Sequence, residues 1–266
     1  MSDLQTITTP RRLDADRFEA IIPDGWQQGR GAFGGLVLAN LVRAIEAFDA
    51  TPERSLRSLT AECCGPVPVG PSVIRVERLR TGSGLSTIAA RIEGDGEVLA
   101  HAVGVLAKKR SDDTDFCHLP APTPMPPWRS IEPAPVGPPM GPAFAPHFEF
   151  RVCGPPPFSG GAEAVGSGWI RPRDPGAARD AGYITACADA WWPALLARLS
   201  TPRPMATVAF TLELLGTLAG LDPEAPLFFA SRSLAARDGF SVETRELWGE
   251  DGRLVARNHQ TMAVIK

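Results

Sequence analysis

The sequence has no run of the roughly 20 apolar residues that a membrane-crossing helix needs. Its first residues, Met1-Ser2-Asp3-Leu4-Gln5-Thr6, show neither a basic nor an apolar leader. A cytoplasmic protein without a membrane partner is the expectation. Lys and Arg form no basic stripe: the formal net charge is -3, and aromatic residues are not interleaved with cations. The electrostatic footprint of a nucleic-acid binder is therefore missing. The five cysteines, Cys63, Cys64, Cys117, Cys153 and Cys187, are odd in number and contain no CxxC pair, so neither a disulfide framework nor a zinc site is indicated. Adjacent Cys63 and Cys64 read as buried small hydrophobes, with redox sensing as the alternative. The histidines His101, His118, His147 and His259 are not spaced i, i+3 or i, i+4, so no metal is expected. A GxSxG elbow, a Walker loop and a dinucleotide fingerprint are also lacking. Covalent serine chemistry has no support, and no cofactor is expected.

What is present suits a globular chain. Its 266 residues are 44% hydrophobic, enough for one large unit or two of about 130 residues each. The stretch from Asp180 to Leu199 carries Ile184, Cys187, Ala188, Trp191, Trp192, Leu195, Leu196 and Leu199 at helical spacing, which predicts a buried helix. Asp189 lies at the edge of that stripe, beside Trp192 and Leu196. A carboxylate there loses water and needs a partner or a role, which makes Asp189 the first candidate for chemistry.

The chain reads as two similar halves. In the first, Gly29-Arg30-Gly31-Ala32-Phe33-Gly34-Gly35 opens into the apolar helical run Leu36 to Ile45, followed by strand patterns over 56–64, 72–79, 86–92 and 98–107. Between Ser111 and Pro157 periodicity fades and prolines crowd, which predicts an extended, stiff connector lying on the surface. Then the order returns: a strand over 162–170, the Asp189 helix, and strands over 206–215, 227–234, 241–247 and 254–265. Gly84-Leu85-Ser86 ahead of Gly94-Asp95-Gly96 matches Gly239-Phe240-Ser241 ahead of Glu250-Asp251-Gly252, about 155 residues later. The expected division is 1–110, a connector over 111–160, and 161–266, each half an α+β unit of one helix wrapped by an antiparallel sheet.

Comparing the halves isolates the polar residues. By counting along the repeat, Asp189 falls opposite the region of Asn40 and Leu41, and Gln260 falls opposite Gly104. Strand alternation places Gln260 on the face of Leu254, Ala256, Met262 and Val264, the face expected to be buried. A buried amide there needs partners, and Asp189 is one candidate. Thr207 opens the strand after the helix; alternation sets it with Thr211 and Glu213, opposite Val208, Phe210 and Leu212, so it is expected to be half exposed. The glycines at 34 and 35 either permit close helix packing or present backbone N–H groups to an oxyanion. Gly182, at the second helix start, is an equal candidate for that role.

Phe33-Gly34-Gly35 before a buried helix, Ala188-Asp189 on the second helix, Ala206-Thr207 on the next strand, and Asp251-Gly252-Arg253-Leu254-Val255-Ala256 followed by Gln260 together resemble acyl-CoA thioesterase II. The resemblance spans nearly the whole chain outside the connector. It implies a double-hotdog fold, an acyl-CoA substrate, and a homodimer or higher homo-oligomer. It also implies that Asp189, Thr207 and Gln260 orient the water that attacks the thioester carbonyl. Family members carry an Asp-His-Ser/Thr run after the Thr strand position where this chain has Ala209-Phe210-Thr211, which leaves Thr211 as a substitute for Thr207. Trp191 and Trp192 are candidates to line an acyl channel. Two other readings stay open: a hydratase or dehydratase, which needs an Asp and His pair, and a non-catalytic acyl-CoA-binding module.

Overall fold

The computed structural model describes residues 2–110 and 115–265; residues 111–114 of the expected connector lie outside them. The first half runs α1 (Leu4–Ile7), β1 (Arg11–Arg12), β2 (Arg17–Ile22), β3 (Gln27–Gln28), β4 (Gly31–Ala32), α2 (Gly34–Asp49), β5 (Arg54–Cys63), β6 (Gly70–Thr81), β7 (Leu85–Gly94) and β8 (Glu97–Lys108). The second half runs β9 (Phe148–Val152), β10 (Val165–Pro172), α3 (Ala181–Ala190), β11 (Met205–Leu214), β12 (Leu227–Arg237), β13 (Phe240–Trp248) and β14 (Leu254–Val264).

All the long strands join one 12-stranded antiparallel sheet in the order β1-β2-β6-β7-β8-β5-β11-β14-β13-β12-β10-β9. Outward from its middle, β5-β8-β7-β6-β2 on one side is matched by β11-β14-β13-β12-β10 on the other. This is the double-hotdog arrangement that the resemblance implies. The halves are fused by pairing of β5 with β11, with Phe210 opposite Ala61. That seam satisfies two strand edges that would otherwise expose their backbone groups.

Helix α2 is apolar nearly all round, and Leu36, Leu38, Leu41, Val42 and Ile45 are completely buried. An all-apolar helix must be enclosed. The strands β5, β6, β7 and β8 wrap one side of it, and α3 packs on another. Each such aliphatic side chain contributes about 1.5–3 kcal/mol relative to exposure, so the two helices with their sheets form one continuous core.

Apart from the site itself, the structure departs from expectation in three places. First, α3 ends at Ala190 rather than near Leu199; Trp191 is extended, and a short 3-10 turn, Ala194–Ala197, follows. Pro193 is the cause, since it lacks an N–H and pushes the residue before it out of helical geometry. Trp192 and Leu196 therefore do not share a helix face with Asp189. Second, the proline-rich segment is not only a surface crossing: Phe144, Ala145, Phe148 and Phe150 are buried in the main core, and Trp128 packs with Trp169, Phe228 and Trp248 in a smaller one. Strand β9 lies within it and pairs with β10. Third, Cys63 is half-buried and Cys64 is exposed, so the pair is not a buried one.

Candidate active site

Asp189 sits in the last turn of α3, half-buried, and its carboxylate Oδ1 accepts a hydrogen bond from Gln260 Nε2 at 3.1 Å. Gln260 projects from β14 on the buried face, as alternation required, and is 1% exposed. Thr207 reaches the same face for a reason that alternation misses. Thr207 pairs with Met262 and Ala209 pairs with Thr261, so Val208 is an extra residue in the ladder. This β-bulge flips the pleat ahead of it and turns Thr207 to the side of Phe210, Gln260 and Met262. Thr207 Oγ1 then donates to Gln260 Oε1 at 2.7 Å.

One backbone carbonyl orients the whole chain of amides. Asn258 Nδ2 donates to the carbonyl of Thr211 at 2.7 Å, so Asn258 Oδ1 faces Gln260 and accepts from its Nε2 at 2.9 Å. With both N–H groups of Gln260 engaged by Asn258 and Asp189, its Oε1 is left for Thr207. Gln260 is thus locked between the two groups that face the site. Asn258 was not singled out from the sequence; a period-2 reading puts it beside Gln260, and its counterpart in the first half is Ala102.

The carboxylate also meets a helix start from the other half. A Cβ on Gly34 would lie 2.8 Å from Asp189 Oδ2, and one on Gly35 would lie 3.0 Å from Asp189 Cβ and 2.4 Å from Phe33 Cζ. Only glycine permits this approach. Phe33 offers no side-chain cap to α2; the Gly35 N–H turns to the Asp189 carboxylate, and no partner is seen for the Gly34 N–H among the described residues. The start of α3 is built differently. Asp180 caps it by accepting from the Tyr183 N–H at 3.0 Å, and Arg43 lies against Gly182 and pairs with Asp180 at 2.9 Å. Of the two candidate helix starts, only the one at Gly34 and Gly35 lies against Asp189.

Burial pushes the Asp189 carboxyl above the ordinary aspartate range; the Arg245 guanidinium, the Gln260 amide and the Gly35 N–H oppose this. Burial, together with the nearby Asp189 charge, pushes the Cys63 thiol on β5 up to about 12, so it stays protonated beside the site. A raised carboxyl that remains partly accessible suits a group that takes and returns a proton.

The first half shows what the same frame looks like without these groups. Gly104 is opposite Leu59 and Ile88, as Gln260 is opposite Phe210 and Glu243. Strand β5 has the same bulge, at Arg57, which places Leu56 where the second half has Thr207. Counting from the helix starts, Asp189 corresponds to Val42, one to two residues beyond the sequence-based match. At Gly104 a Cβ would be 3.0 Å from both Ile45 Cγ2 and Leu56 Cδ1, so the counterpart of the Asp189 cluster is packed apolar core.

The remaining candidates are dispersed. Trp191, 2% exposed, stacks on Phe229 with ring centroids 5.0 Å apart and belongs to the core. Trp192 lines an apolar cleft of about 280 Å³ with Val136, Met140, Val152 and Phe158. Thr211 pairs with His259 on the opposite face from Gln260 and contributes only its carbonyl. None of the histidines hydrogen-bonds to Asp189 among the described residues: His147 stacks on Trp26 and His101 pairs with Glu62.

The chain matches two family profiles, the acyl-CoA thioesterase N-terminal domain over residues 22–107 and the acyl-CoA thioesterase C-terminal domain over residues 119–264. Its fold is similar to that of a hot dog protein of unknown function from Alicyclobacillus acidocaldarius, with a TM-score of 0.85 and 24% identity over 99% of this chain and 98% of that one. A putative thioesterase II from Thermobifida fusca gives a TM-score of 0.83 at 22% identity, covering 100% and 98% of the two chains. The acyl-CoA thioesterase II TesB2 from Mycobacterium marinum gives 0.76 at 17% identity, covering 98% and 97%. No curated protein sequence matches the chain. With both halves matched in order, this chain belongs to the acyl-CoA thioesterase family, as a thioester hydrolase with two hotdog repeats.

Proposed function

We propose that Asp189, Thr207 and Gln260 form the hydrolytic centre for an acyl-CoA, and that the start of α2 receives the thioester carbonyl. The observation that carries this reading is the convergence of a desolvated carboxylate, a hydroxyl joined to it through one amide, and an uncapped helix start on one point. A water held by Asp189 and Thr207 gives its proton to the Asp189 carboxylate as its oxygen attacks the carbonyl carbon. The developing oxyanion lies against the N–H of Gly34, where the positive end of the helix stabilises it, while the Gly35 N–H serves the Asp189 carboxylate. Collapse of the tetrahedral species breaks the C–S bond; Asp189 returns its proton to the departing CoA thiolate, and the free acid remains.

Gln260 acts by holding the other two, since its donors are committed. The acyl chain extends toward Trp192, three residues beyond Asp189, and the apolar cleft that it lines. Trp191 serves the core behind it. The lack of a histidine at Asp189 among the described residues disfavours hydration or dehydration chemistry. Thiol release from a panel of short, long and aromatic acyl-CoAs, measured for wild type beside Asp189→Asn, tests the proposal. Turnover that falls by at least about 100-fold in the variant supports it; equal turnover moves the site elsewhere, and turnover by neither protein favours a binding module.

A further inference from the structure

Beneath Asp189 lies a buried ion pair that the hydrolytic scheme does not use. Glu243 and Arg245, on β13, are 0% and 2% exposed, and Arg245 Nε donates to Glu243 Oε1 at 2.9 Å. Burying two charges is costly, and such pairs are often replaced by apolar residues without loss of stability. This molecule contains that replacement. In the first half the corresponding residues of β7, set by their pairing with Gly104 and Ala102, are Ile88 and Ala90, both buried. The frame therefore folds around either solution, and the charged one occurs in the half that holds Asp189.

The contacts show what the charges hold. Arg245 Nη1 donates to the carbonyl of Ala188 at 2.9 Å and lies 3.4 Å from that of Asp189. Glu243 Oε2 accepts from the Ala194 N–H at 2.7 Å. The pair thus grips both sides of the break at Trp191, Trp192 and Pro193: the last turn of α3, and the first residue of the 3-10 turn. Helix carbonyls at a C-terminus lack intrahelical partners, so Arg245 also completes the end of α3.

We propose that Glu243 and Arg245 are positioning residues for Asp189, fixing the end of α3 so that the carboxylate meets both Gln260 and the start of α2. This inference rests on the assignment of Asp189 as the proton acceptor. Among the described residues, the charged and titratable groups facing Asp189 are Arg245 from β13 and the Cys63 thiol from β5; α2 and β14 contribute the Gly35 N–H and the neutral Gln260 amide. Of these, Arg245 alone is a cation.

The test installs the first half's own solution, Glu243→Ile with Arg245→Ala, beside Arg245→Lys, with folding followed by circular dichroism and kcat, KM and pH profiles by thiol release. The double variant is expected to fold, to lose about 10- to 100-fold in kcat with KM changed less than about threefold, and to lose activity at a higher pH on acidification than wild type. Arg245→Lys keeps the charge without the planar fork, so its acid limb stays near that of wild type while kcat falls severalfold. A folded double variant with wild-type kcat and an unmoved acid limb overturns the proposal. If the double variant does not fold, Arg245→Lys decides: unchanged kcat overturns the proposal, and reduced kcat with an unmoved limb supports it. Wild type active, Asp189→Asn inactive and both pair variants unaffected would sink this inference alone. Equal activity of wild type and Asp189→Asn would sink the assignment beneath it.

Discussion

Gly34→Ala separates the chemistry from the fold with one methyl group. The added Cβ would stand 2.8 Å from Asp189 Oδ2, while an unstrained contact needs roughly 3.5 Å. The carboxylate must therefore shift by about 0.7 Å, which disturbs its bond to Gln260 and its hold on the attacking water. Misplacement on that scale costs on the order of 100-fold in rate, equivalent to about 2.7 kcal/mol of barrier. Stability should hardly change. The clash is with the end of a side chain that can rotate, and at the first residue of α2 the helix preference of Ala over Gly is worth less than the ~1 kcal/mol of a helix interior, so the net change stays within about 1 kcal/mol. Thiol release and thermal unfolding on one preparation read both numbers. A variant with unchanged Tm and wild-type kcat/KM would refute the claim that the reaction occurs between Gly34 and Asp189.

Other outcomes follow from the same geometry. Burial favours the protonated form of Asp189, so that group's contribution to stability is fully present below the ordinary aspartate pKa and is lost as pH rises through the raised value. Asp189→Asn is therefore expected to unfold at a higher temperature than wild type near pH 7 and at about the same temperature near pH 3, and calorimetry at the two pH values checks this. Thr207→Val removes the donor to Gln260 Oε1 and should cost about 1 kcal/mol or less of stability but about 10- to 100-fold in kcat; Thr207→Ser, which keeps the hydroxyl, should stay within a few fold of wild type. Ala50 ends α2 in the left-handed region at φ 49°, so Ala50→Gly should stabilise by about 0.5–1 kcal/mol in urea unfolding without altering turnover.

Much of this protein is written in its one-dimensional pattern. Period-2 alternation bounded by Asp-Gly turns located the eight long strands of the two repeats, because a strand with one buried face must alternate. The largely apolar run after Gly35 declared an enclosed helix. Asp189 and Gln260 stood out because a polar group on a face that is otherwise apolar breaks the pattern, and a duplicated chain supplies its own comparison. The tertiary structure alone decided the rest. The turning of Thr207 depends on the bulge at Val208, and a bulge is a property of two strands in register. Which helix start faces Asp189 depends on α2 and α3 lying side by side, a contact between residues about 155 positions apart. Nothing in the strand pattern over 241–247 marks Glu243 and Arg245; they are buried because α3 ends above them. Periodicity reports which face of an element is covered. Only the packing reports what covers it, and the site is made of those contacts.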